Sequence, residues 1–129
     1  MVRDAPVKFS KESVNSLVVQ SVSATAIRVS GETYSHAIAL TPEQLIPDWQ
    51  FRAIEELSID DFDSLLSGNP ELIVVGTGTK NLFPPRALVF AFARRGIGLE
   101  VMDTAAAART FNVLAGEGRR IAAVLNLEP

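Results

Sequence analysis

Cysteine is missing from all 129 residues, which excludes a disulfide framework, a thiolate nucleophile and any cysteine-held zinc or iron–sulfur centre. Histidine, tryptophan and tyrosine occur once each. With one imidazole, no Ser-His-Asp relay has a predictable geometry, and no nucleophile-elbow sequence puts a serine on a strand-to-helix turn. Acidic neighbours such as Glu55-Glu56 and Asp60-Asp61 diverge on a helix and read as solvated charges, so neither a coupled acid-base pair nor a metal ligand set emerges. These absences leave no catalytic residue, no metal site and no cofactor to name, and they argue against an enzyme.

Two further absences bound the partners. No apolar run approaches the roughly 20 residues needed to span a bilayer. No basic stripe accompanies the net charge of -3, so the phosphate-dominated attraction of a nucleic-acid binder is not expected. Residues 1–12 lack an apolar signal core and carry acids that a transit peptide avoids, which predicts a bacterial cytoplasmic location. Against these gaps, 47% hydrophobic and 21% charged residues make the composition of a packed protein. At this length folding removes roughly two-thirds of the unfolded surface from water, and a single domain over residues 1–129 is expected.

The first third reads as β-structure. Leu17-Val18-Val19-Gln20-Ser21-Val22 and Thr25-Ala26-Ile27-Arg28-Val29 are rich in β-branched residues, and Ser30-Gly31-Glu32 supplies a turn before a third segment at residues 34–40. In that segment Tyr34, His36, Ile38 and Leu40 share one parity, which places the single histidine on the more apolar face as a structural residue. Pro42, Pro47 and Trp49 mark an irregular connection, with the indole folded back on the core. Ser58-Ile59-Asp60-Asp61 resembles a helix cap, Ile59, Phe62, Leu65 and Leu66 recur at helical spacing, and Gly68-Asn69-Pro70 stops the pattern.

The remainder alternates. Leu72-Ile73-Val74-Val75 is a continuous apolar run suited to a strand covered on both faces, and Pro84-Pro85 opens a helix that ends at Arg94-Arg95-Gly96. Residues 97–102 form a second strand, 104–115 a second helix and 120–127 a third strand. The prediction is a three-layer α/β domain with a mixed sheet: a parallel βαβαβ carboxyl-terminal half, extended at its edge by an amino-terminal β-hairpin.

Two groups of residues invite a functional reading. Gly76-Thr77-Gly78-Thr79-Lys80 directly follows a strand, and backbone N–H groups in such a loop can cradle an anion while Lys80 adds charge. The loop lacks the third glycine of a dinucleotide fingerprint and the lysine placement of a P-loop, and a tight chain reversal explains its glycines equally well. Asp103-Thr104 ends the next strand and falls on the same sheet edge, where open α/β sheets bind ligands, although an Asp or Thr there is also an ordinary helix cap. Together they define a candidate crevice for a small anion or nucleotide. Arg109 and Asn112 share a helix face opposite the stripe of Ala107, Ala108, Phe111, Leu114 and Ala115, and form a candidate partner-binding pair or an internal structural pair.

Leu72-Ile73-Val74-Val75-Gly76-Thr77-Gly78, Phe83-Pro84-Pro85, Gly96-Ile97-Gly98-Leu99-Glu100-Val101-Met102-Asp103-Thr104, Ala106-Ala107-Ala108-Arg109-Thr110-Phe111-Asn112 and Glu117-Gly118-Arg119-Arg120-Ile121-Ala122-Ala123 occur in this order. In these motifs the chain resembles a family of small archaeal, bacterial and mitochondrial proteins that includes the mitochondrial NADH:ubiquinone oxidoreductase assembly factor 3 proteins. The resemblance implies a three-layer α/β fold and, from the mitochondrial branch, a non-catalytic role in assembling a membrane complex through protein partners. The bacterial branch carries no assigned activity. Many relatives have Cys and Tyr in the Arg-Thr-aromatic-Asn helix where this chain has Ala108 and Phe111, so thiol or phenol chemistry at those positions is excluded here.

Overall fold

The computed structural model describes residues 16–50 and 52–128. Strands β1 (Val19–Val22), β2 (Ile27–Val29) and β3 (Glu32–Tyr34) form an antiparallel three-stranded sheet in the order β1-β2-β3. The β2–β3 turn places Ser30 at φ 46° and Gly31 at φ 94°, the positive angles that a tight I′ hairpin needs at both central positions. The predicted hairpin is therefore real, but it does not extend the main sheet.

The main sheet has five strands in the order β5-β4-β8-β6-β7. Its members are β4 (Ile38–Leu40), β5 (Leu45–Ile46), β6 (Leu72–Gly76), β7 (Gly98–Met102) and β8 (Ile121–Leu125). β6 is parallel to both β7 and β8, whereas β4 runs antiparallel to β8 and to β5, so the sheet is mixed. Residues 34–40 are thus two strands in two sheets, separated by a bend. His36 sits in that bend, exposed rather than on an apolar face, with Nδ1 3.0 Å from the Ala37 carbonyl and its ring edge-on to Tyr34. The bend breaks the strand parity on which the histidine's expected burial rested.

Period-two alternation divides the main sheet into two apolar faces. On one, Ile38, Leu40, Val74, Ile121, Ala123 and Leu125 meet the three-stranded sheet and a helix, while on the other Ala39, Ile73, Val75, Ala122 and Val124 meet the remaining helical segments. The second face is covered by two 3-10 turns (Ile54–Glu56 and Ile59–Phe62), the short helix α1 (Asp63–Leu66) and α2 (Arg86–Arg94). The Asp61 carboxylate accepts the Ser58 N–H at 2.9 Å, as the capping sequence predicts. Phe62 meets Phe92 of α2 edge to face at 5.1 Å, and Trp49 tilts onto Phe62 from the other side.

The first face is covered by α3 (Thr104–Gly116), which packs on β6 and β8 with one side and on β1 with another. Ala107 and Ala108 let the helix approach closely, and Phe111, with no solvent exposure, fills the space among Val19, Ile27 and the sheet. The helix joins the two sheets.

Candidate functional site

Parallel register brings three strand ends together: Gly76 lies opposite Met102 on β7 and Leu125 on β8. The Gly76 loop and Asp103-Thr104 are consequently neighbours at the carboxyl edge of the sheet, as the topology predicts. Asn126 joins them as the residue after β8, a member that sequence reading missed. Nothing in a lone asparagine after an apolar strand distinguishes it from a loop residue.

Every polar contact at this junction runs inward. Thr104 Oγ1 donates to the Asn126 carbonyl at 2.7 Å and accepts the Gly78 N–H at 2.8 Å, while the Gly78 carbonyl accepts the Thr104 N–H at 2.8 Å. The Thr77 N–H donates to the Met102 carbonyl, and the Thr77 hydroxyl donates to the Lys80 carbonyl. Asn126 gives both its backbone N–H, at 3.2 Å, and its side-chain Nδ2, at 2.9 Å, to the Gly76 carbonyl. A Cβ on Gly76 would lie 2.7 Å from Thr104 Cα, so a hydrogen is the largest substituent that the clasp accepts there.

The amides of Thr77 and Gly78, the first choice for cradling an anion, are therefore occupied within the chain. The start of α3 is similarly filled: Asp103 Oδ1 accepts the Ala106 N–H at 2.8 Å, a helix cap of about 1 kcal/mol. A cleft of about 260 Å³ does open beside the junction, between Ser23 of the β1–β2 turn and Gly78, Thr79 and Asp103. Its charged lining residues are Asp103 and Glu128, both acidic, and Glu128 Oε2 stands 3.3 Å from where a Gly78 Cβ would be. Lys80 is exposed and does not line it. Two carboxylates at a narrow cleft oppose an anion. Gly78 has φ +91°, so a valine there would strain the backbone before it tested any ligand.

The structure separates the Arg109 and Asn112 pair. Asn112 turns to its own chain: its Oδ1 accepts the Val19 N–H at 3.0 Å and its Nδ2 donates to the Val19 carbonyl at 2.8 Å. The side chain acts as a peptide-like partner for β1 beside the register shift at Val19 and Ser21, so its role is internal. Arg109 is exposed, and Val113, one turn on, is 59% exposed on the same side of the helix.

Residues 19–126 match the family described as protein of unknown function (DUF498/DUF598). The chain belongs to that family. Solved relatives share its fold: a Bordetella parapertussis protein superposes with a TM-score of 0.80 at 32% identity, covering 88% of this chain and 97% of that one. A Xanthomonas campestris protein gives 0.78 at 35% identity over 86% and 84% of the respective chains. Among curated members, the human NADH dehydrogenase [ubiquinone] 1 alpha subcomplex assembly factor 3 is 30% identical over 119 residues, 91% of this chain and 64% of that protein's length. A Francisella tularensis member, named 13 kDa major membrane protein, is 30% identical over 94 residues, 71% of this chain and 76% of that one. The family is described as one of unknown function, and proteins named as assembly factors are among this chain's relatives. Among the described residues no helix is long and apolar enough to cross a membrane.

Proposed function

We propose that this chain is a non-catalytic assembly factor that acts by binding protein subunits of a respiratory membrane complex. The observation that carries the reading is the alignment with assembly factor 3 proteins over 91% of the chain. The sheet-edge junction adds support, because the Thr77 and Gly78 amides and the Thr77 and Thr104 hydroxyls are occupied in holding strand ends together. In this reading the exposed side of α3, with Arg109 and Val113, is a contact surface for a subunit. Arginine is enriched where proteins bind one another, and Val113 adds exposed apolar area beside it.

The test is removal of the gene from its native cell, followed by native gel electrophoresis of the membranes. Assembled NADH:quinone oxidoreductase should fall while the messages for its subunits stay constant, and Arg109→Glu should restore assembly less well than the unaltered chain. Normal assembly without the protein would exclude the reading.

A further inference from the structure

Helix α2 presents an apolar face that the packing of the described residues leaves open. Leu88 and Phe92 form its buried stripe. Phe90 lies on the opposite side, 53% exposed, and the four-residue spacing puts Arg86 and Arg94 in one row with it. Val89 is 41% exposed on the same helix. The loop leading into α2 adds Leu82 and Phe83, and the Phe83 ring, 89% exposed, stands almost wholly in water. The cleft beside the sheet-edge junction does not include these residues.

Charge is distributed around this surface in an equally one-sided way. The chain carries 15 acids against 12 Lys and Arg, yet between Glu71 and Glu100 it has no Asp or Glu and has Lys80, Arg86, Arg94 and Arg95. All four cations are exposed, and none is in an ion pair with a described residue. Asp60, Asp61 and Asp63 lie on the segment whose Phe62 packs against the buried side of α2, Asp61 is paired with Arg52 at 3.1 Å, and Glu100 lies on β7, against which α2 also packs.

We propose that the Phe83–Phe90 face of α2 docks on the surface of a membrane rich in anionic phospholipid. Projecting phenylalanines enter the boundary between headgroups and acyl chains, and a rim of arginine and lysine holds lipid phosphates at that depth. A protein partner would have to offer a pocket for a ring that stands clear of its surroundings, whereas a bilayer accepts it without a preformed cavity. Residues 72–99 carry only positive charges in a chain of net charge -3, which favours an approach to an anionic surface with α2 foremost.

Flotation of the full-length chain with vesicles tests this. Vesicles of phosphatidylcholine containing phosphatidylglycerol should carry the protein with them, vesicles of phosphatidylcholine alone should carry at least tenfold less, and raised salt should release it. Phe83→Ser with Phe90→Ser, and separately Arg86→Glu with Arg94→Glu, should each lower binding at least tenfold while the melting temperature stays constant, since all four side chains are exposed. The lack of binding to phosphatidylglycerol vesicles, or binding that both double variants leave unchanged, would overturn the proposal. Self-association abolished by the phenylalanine variant, without vesicle binding, would overturn it in favour of a second copy of the chain. Binding of a protein subunit through this face, again without vesicle binding, would overturn it in favour of a protein ligand.

Discussion

Thr104 makes two hydrogen bonds through one hydroxyl, and substitution separates that hydroxyl from the bulk of the side chain. Its hydroxyl closes the clasp between Gly78 and Asn126, and its residue is 1% exposed, so Thr104→Val leaves a buried amide and a buried carbonyl short of a partner. Each orphaned group costs roughly 1–3 kcal/mol, and Thr104→Ser, which keeps the hydroxyl, should recover most of the loss in urea denaturation. Phe111 and Arg109 make a second contrast on one helix. Phe111→Ala removes a ring with no solvent exposure and should cost about 3–5 kcal/mol, whereas Arg109→Ala should change stability by less than about 0.5 kcal/mol. The burial of Phe111 was legible from its place in the alanine stripe. Asn112 was not: sequence gave its helix face but not the strand across from it, because Val19 lies 93 residues away.

At the scale of elements, β1 is held to α3 partly through one side chain. Asn112→Ala deletes both hydrogen bonds to Val19 while leaving the apolar contacts of Val19, Ile27 and Val29 in place. The three-stranded sheet should then open more often than the main one. Hydrogen exchange at the β1 and β2 amides should accelerate relative to β6 and β8, and uniform acceleration in both sheets would show that the two sheets unfold as one unit. The parallel half of the fold was legible because apolar runs, Pro84-Pro85, Gly96 and Asp103 punctuate it unambiguously. Strands of three residues give weaker signals. β-propensity identified the hairpin, but sheet membership depends on where the chain bends near His36, and that bend follows from tertiary packing rather than local preference.

For the molecule as a whole, the acid limb of stability has an identifiable contributor. Glu71, just before β6, accepts the Arg120 N–H at 3.2 Å and the Arg119 Nε at 3.4 Å. The Arg120 backbone hydrogen bond first, and the Arg119 contacts after it, hold the carboxyl below its ordinary value, with partial desolvation opposing them. A lowered folded-state value means that the unfolded chain binds more protons in this window. The stabilisation is present above the ordinary carboxylate range and is lost as pH falls through the lowered value. Glu71→Gln should therefore flatten the dependence of the urea midpoint on pH below the ordinary carboxylate range, and an unaltered slope would remove Glu71 from the account.

The position of β8 carries a consequence for biosynthesis. It lies between β4 and β6, yet the ribosome makes it after both of them and after the whole of α3. Until it emerges, β4 and β6 have no shared neighbour, the two apolar faces of the sheet cannot close, and the 80 residues between Leu40 and Ile121 remain an open loop. The pairing of β8 with β4 therefore bears its closure entropy late, after β6, α2, β7 and α3 have been made, since contacts distant in sequence form slowly. A nascent chain that has made β6 but not β8 leaves one edge of Ile73, Val74 and Val75 without its neighbouring strand, an unpaired edge of the kind that chaperones guard.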